Sequence, residues 1–171
     1  MRSLSIVRHS KAESYAVGQT DFQRALTEKG KWKAEYVARQ VAQEEWRPDF
    51  YLSSPATRAL ETAQIFARVL GADPSKVQIE PDLYTFGNHG QVLDKIRELD
   101  DRIYHPILFG HNPTFTTLAW HLSSHFRHEM STSAVVTLEL PIEHWTELGS
   151  DEGRVLLYYT RKIIDHLREG D

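Results

Sequence analysis

Cysteine is absent from the 171-residue sequence. That excludes disulfides, thiolate catalysis and cysteine-ligated zinc together, and it fits a reducing compartment. A basic excess is missing too: 20 lysines and arginines face 24 carboxylates, a formal net charge of −4. No global positive field exists to hold nucleic acid, so any anion site must be assembled locally. Long hydrophobic runs are also lacking. The apolar stretch at residues 4–7 meets Arg8 too early to form a signal core or a membrane span. No repeat, low-complexity tract or Pro/Gly/Ser-rich linker divides the chain. These absences lead us to expect a soluble, cytoplasmic, single domain over residues 1–171, with no membrane or nucleic-acid partner.

What is present is ordinary globular composition, 40% hydrophobic and 26% charged, enough to bury a core. Residues 4–7 are apolar and partly β-branched, as in a short buried strand. Thr27 is placed to cap a helix, with Glu28 at its positive end. Ala34, Val37, Ala38, Val41 and Ala42 follow on one face, and Pro48 marks the end. Residues 49–53 read as a second strand. Ser54-Pro55 reads as the opening of the next helix, whose apolar face is Ala59, Ala63, Phe66, Ala67 and Leu70, closed by Gly71. Residues 77–79 suggest a short strand, and Val92, Leu93, Ile96 and Leu99 a helical stripe. Strand 106–109 runs into Gly110-His111-Asn112-Pro113, where another helix opens. Two later strands, 133–140 and 154–160, add an antiparallel element, and a short charged helix follows. Strands alternating with helices predict an α/β fold, a three-layer α/β/α sandwich around a largely parallel sheet.

Three of the predicted strand ends carry unusual polar groups. The first delivers Arg8 and His9. The second leads through Ser53, Ser54 and Pro55 to Arg58 in the first turn of its helix. The third delivers His111 just before a helix N-terminus. Ligands of open α/β sheets sit outside the carboxyl ends of the strands. If the strands are neighbours, two arginines and two histidines converge there, and the helix N-termini favour an anion. Arginine forks match phosphate oxygens in bidentate geometry, which lysine cannot copy. A neutral imidazole can attack phosphorus through one ring nitrogen while the other donates to a fixed acceptor. Any one of these residues alone reads as a solvated loop or capping group; the joint pattern points to phosphoryl transfer. That reaction requires no metal or cofactor.

The motifs resemble those of the histidine phosphatase superfamily, which includes the phosphoglycerate mutases. Val-Arg-His-Ser at 7–10 looks like its Arg-His-Gly signature. Ser53-Ser54-Pro55 through Arg58, Ala59 and Thr62-Ala63 is similar to its second arginine motif, and Gly110-His111-Asn112-Pro113 to its second histidine motif. Asp21, Arg24, Ala25, Leu26, Thr27 and Gly30 resemble the segment before its first helix. The short chain without large helical insertions looks like the SixA-type phosphohistidine phosphatases. The resemblance implies an α/β/α fold, phosphorylation of His9, and Arg8, Arg58 and His111 as phosphate ligands. Ser10 departs from the pattern, standing where many members carry glycine. It is expected to be tolerated and to offer a hydroxyl to the pocket. Arg24 either joins the phosphate pocket or makes a local salt bridge.

A proton donor for the leaving oxygen is harder to find. By resemblance Asp82 occupies about the right place, with Asp21 and Glu80 as further candidates. A weak acid would suit phosphohistidine, whose imidazole leaving group protonates near neutral pH. The expected substrate is thus a phosphorylated protein, such as a histidine phosphotransfer domain or a phosphocarrier. Two rival readings are a phosphatase of a small metabolite or nucleotide, and a module that binds a phosphorylated partner with little turnover. His121, His125 and His128 have helical spacing, but no matching carboxylate cluster completes a metal site. Trp32, Trp46, Trp120 and Trp145 read as packing residues. Thr132 and Ser133 read as ordinary hydroxyls at the start of a strand.

Overall fold

A computed structural model describes residues 1–169. Six strands form one sheet: β1 (Arg2–Arg8), β2 (Phe50–Ser53), β3 (Gln78–Ile79), β4 (Pro106–Gly110), β5 (Val135–Leu140) and β6 (Arg154–Tyr159). Their spatial order is β3-β2-β4-β1-β5-β6. The first four in that order are mutually parallel, while β5 runs antiparallel to both β1 and β6. The helices are α1 (Glu28–Val41), α2 (Thr57–Val69), α3 (His89–Arg97), α4 (Thr114–Leu122) and α5 (Arg161–Glu169).

Strand periodicity sorts the core into two layers. Leu4, Ile6, Leu52 and Leu108 pack with α3 and α4, whereas Val7, Tyr51, Ile107 and Phe109 pack with α1, α2 and α5. The expected three-layer sandwich is therefore the observed one. Among the described residues, no helix is long and apolar enough to cross a membrane. Trp145 is fully buried, but Trp32 is exposed, stacked on Tyr36 and covered by Arg161.

The ends of the helices show what local signals do and do not decide. Thr27 caps α1 as predicted, its hydroxyl accepting from the Gly30 amide at 2.8 Å. The Ser54-Pro55 expectation is corrected: α2 begins at Thr57 behind Ala56. The Ser54 hydroxyl accepts from the Ala56 amide at 3.2 Å and meets His111 Nε2 at 2.7 Å. The segment is thus held as a turn by the site instead of opening the helix. Asn112 serves α4 from outside it, its Oδ1 accepting from the Thr116 amide at 3.2 Å. Because α4 ends at Leu122, His125 and His128 lie beyond it, and the helical spacing of the three histidines corresponds to no single helix face.

Gly30 shows how closely α1 approaches the loop after β1. A Cβ there would lie 2.1 Å from the Lys11 carbonyl oxygen, a backbone atom that cannot swing aside. The same stretch holds the site, since Ser10 Oγ donates to the Gly30 carbonyl at 2.7 Å. Gly30→Ala is expected to destabilise the protein by about 1–3 kcal/mol through overpacking, read as a lower urea midpoint. It should also slow phosphate release, because the displaced loop carries His9.

Candidate active site

Strand register brings the chemistry together. Arg8 is opposite Gly110 across β1 and β4, and Ser53 is opposite Phe109 across β2 and β4. The next residues along each strand, His9, His111 and Ser54, therefore emerge side by side at the carboxyl edge of the sheet. The His9 and His111 ring centroids are 5.1 Å apart.

His9 has a defined tautomer. Its Nδ1 lies 2.7 Å from the Ser10 carbonyl oxygen, which can only accept, so Nδ1 carries the proton. Nε2 then holds a lone pair, and Arg58 Nε donates toward it at 3.4 Å. Burial, followed by the nearby Arg58, Arg8 and Arg24 charges, lowers the His9 pKa from 6.5 to about 4, although the Ser10 hydrogen bond opposes the shift. The ring is neutral at pH 7.

Arg58 is only 2% exposed. Its Nη1 donates to the Asp21 carbonyl at 2.8 Å and its Nη2 to Asp21 Oδ2 at 2.9 Å. Arg24 grips the other carboxylate oxygen, from Nε at 3.0 Å and Nη2 at 2.8 Å, and Tyr84 donates to Oδ2 at 2.8 Å. Burial would raise the Asp21 pKa, but hydrogen bonds from Tyr84, Arg24 and Arg58 prevail and hold the carboxyl well below its usual range. Asp21 is thus an anion that orients arginines, and at neutral pH it has no proton to give. Of the two expectations for Arg24, the local salt bridge is the one seen, and it is to the carboxylate that also binds Arg58.

His111 is fully buried. The Ser54 hydroxyl, which accepts from the Ala56 amide, lies 2.7 Å from Nε2, and Nδ1 is buried with no hydrogen-bond partner among the described residues. Burial, then His9 and Arg58, lowers its pKa to about 3. Tyr84 meets the ring edge-on at 5.4 Å, and Phe86 lies 5.0 Å from it. Arg8 is braced by Nη1 donating to the Met130 carbonyl at 2.9 Å, while its buried Nε has no partner among the described residues. Two buried side-chain nitrogens, Arg8 Nε and His111 Nδ1, are thus left without a partner among the described residues, and the His111 ring lies against His9, a pattern that suits an anion.

Ser10 is fully buried, and its hydroxyl points away from the expected role. It donates to the Gly30 carbonyl and accepts from Ser133 Oγ at 2.6 Å, while its amide donates to Thr62 Oγ1 at 3.0 Å. Ser10 therefore ties the His9 loop to α1, α2 and the start of β5, and Ser133 is part of that tie. Asp82 is not brought to the cluster. Its carboxylate accepts from Gln91 Nε2 at 2.9 Å and pairs with Lys95 at 3.4 Å, so α3 holds it. Glu80 accepts from the Asp82 amide at 3.0 Å. Sequence reasoning missed Tyr84 and Phe86, although they lie in the stretch searched for a proton donor. Only carboxylates were sought there, and an aromatic pair two residues apart is the signal that would have found them.

The profile of the histidine phosphatase superfamily (branch 1) matches residues 4–105, the segment that supplies Arg8, His9, Asp21 and Arg58. The chain belongs to this superfamily and is a phosphatase. No curated protein matches the sequence. Among solved structures, a protein assigned as the phosphohistidine phosphatase SixA from Agrobacterium tumefaciens is 27% identical with a TM-score of 0.75, covering 93% of this chain and 97% of its own. The protein histidine phosphatase SixA complexed with tungstate shares the fold at 22% identity and TM-score 0.79, covering 95% and 99%. A mycobacterial glucosyl-3-phosphoglycerate phosphatase shares it at 16% identity and TM-score 0.64, covering 91% and 97%.

The buried histidines are expected to make the fold of this phosphatase acid-sensitive. His105, against Trp46 and hydrogen-bonded to Ser5, is also lowered by burial to about 4. All three folded pKa values lie below the unfolded 6.5, so between these limits the unfolded chain binds more protons. Stability is expected to be full above about pH 6.5 and to fall as pH drops toward 4. Urea midpoints at pH 7.5 and pH 5 test this; equal midpoints would refute it.

Proposed function

We propose that the protein hydrolyses phosphohistidine on a partner protein through a phosphorylated His9. The supporting observation is the His9 tautomer: Nδ1–H is fixed on the Ser10 carbonyl, and the Nε2 lone pair faces the Arg58 guanidinium. In the first step Nε2 forms a bond to phosphorus as the substrate's P–N bond breaks, and the departing imidazole takes the electron pair and a proton from solvent. Arg8, Arg58 and His111 Nδ1–H bind the phosphoryl oxygens and stabilise their charge. In the second step water adds to phosphorus, the P–Nε2 bond breaks, and inorganic phosphate leaves with His9 restored. Ionised Asp21 holds Arg58 and Arg24 in place.

The proton balance supports this substrate class. Asp21 is held ionised, and Asp82 is committed to Gln91 and Lys95. An alkoxide leaving group needs a strong donor at this position, whereas imidazole protonates near pH 7. The 27% identity to a SixA protein favours the same reading.

Phosphate release from a phosphohistidine protein, a phosphoserine peptide and a sugar phosphate tests the proposal. A preference for phosphohistidine of about 100-fold or more in kcat/KM is expected, the effect of several kcal/mol of unassisted leaving-group departure. Preference for the sugar phosphate would transfer the mechanism to metabolite substrates. Binding of phosphoproteins without turnover would leave a binding module.

A further inference from the structure

Beside the catalytic cluster a groove of about 880 Å³ runs between α1, the loop before β5, the end of β6 and α5. Lys11, Lys29, Lys33, Arg161 and Lys162 line it. It is continuous with the site: Lys11 follows Ser10 directly, and Lys33 donates to Thr132 at 2.8 Å, next to the Ser133–Ser10 hydrogen bond.

The lysines of this groove differ from the other cations of α1–α3, while Arg161 pairs with Asp165. On α1–α3 outside it, Lys31, Arg39, Arg68, Lys95 and Arg97 each pair with a carboxylate. Inside it, Lys11, Lys29, Lys33 and Lys162 have no ion pair among the described residues. Burial and then the charges of Arg161, Arg8, Lys29 and Lys11 lower the Lys33 pKa, so the cations act on one another. A chain of net charge −4 thus places four lysines with no ion pair among the described residues beside its phosphate pocket.

We propose that this groove docks an acidic surface segment of the phosphoprotein substrate, placing its phosphorylated side chain at His9; the assignment rests on the phosphatase reading of the adjoining site. Glu129, Asp165 and Glu169 also line the groove. A continuous polyanion would meet those carboxylates, whereas a protein surface can oppose them with its own cations or polar groups. Tyr158 and Ile163 add apolar wall for side-chain contact.

The test is the double variant Lys29→Glu/Lys162→Glu, two residues outside the catalytic cluster. Its kcat/KM on a histidine-phosphorylated phosphotransfer domain is expected to fall about tenfold or more at low salt and to lose most of its salt dependence. Hydrolysis of phosphoramidate, a substrate too small to reach the groove, should stay within about twofold. A fluorescein-labelled ten-residue glutamate-rich peptide should bind wild type and weaken about tenfold in the variant. Unchanged peptide binding, or an oligonucleotide of equal charge competing better than the peptide, would overturn the assignment. Failure of wild type to hydrolyse either phosphorylated compound would instead end the phosphatase reading, while the peptide titration would still decide the groove.

Discussion

His9→Ala is expected to abolish turnover, with phosphate release at least about 10⁴-fold below wild type. The covalent route has one nucleophile, the Nε2 lone pair, and no other group at the carboxyl edge of β1 is presented to phosphorus in this way. Orthovanadate affinity should fall more modestly, since Arg8, Arg58 and His111 remain. The backbone around residue 9 is held independently by the His9 amide donating to Gly110 at 3.0 Å and by the Ser10 contacts, so the variant should fold. Incubation with a ³²P-labelled phosphohistidine protein should leave an alkali-stable, acid-labile label on wild type and none on the variant. A variant retaining more than about one per cent of the rate would mean that water attacks the substrate directly, and the covalent mechanism would be abandoned.

Arg58→Ala is expected to lower kcat/KM by about 10³-fold or more, the scale on which an arginine stabilises a transferring phosphoryl group. Its guanidinium lies against His9 Nε2 and binds Asp21 through two further donors, which fixes the plane of the fork. The loss should appear in kcat as well as KM, because charge on the equatorial oxygens grows in the transition state. Arg58→Lys should recover little, since an ammonium cannot reach Asp21 and a phosphoryl oxygen in the same planar geometry. It also guards against misfolding as the explanation, because lysine keeps a cation near Asp21. Asp21→Asn should cost less, about tenfold, because it loosens two arginines without removing either. A larger loss for Asp21→Asn than for Arg58→Ala would make Asp21 a chemical participant and refute the orienting role.

Much of this was legible before any geometry. The α1 cap at Thr27, the stripes of α1 and α2, and the apolar strands depend on groups a few residues apart, and local periodicity reports them. Arg8, His9, Arg58 and His111 were visible because strand-to-helix transitions deliver polar groups to one edge of such a sheet. The errors share a cause. Ser54 reads as a helix cap until His111, 57 residues away, is placed against it. Asp82 reads as a proton donor until the turn before α3 directs it to Gln91 and Lys95.

The sequence by itself determined the elements, the alternation that makes an α/β sandwich, the absence of thiol chemistry and the residues on which the proposed phosphate chemistry rests. Tertiary structure alone decided which groups meet: Asp21 with Arg58 across 37 residues and with Tyr84 across 63, Ser10 with Ser133 across 123. It also gathered lysines from α1 and α5 along one groove. Capping and periodicity act over one or two turns of chain, whereas these contacts depend on strand order and register, which only the packed sheet sets.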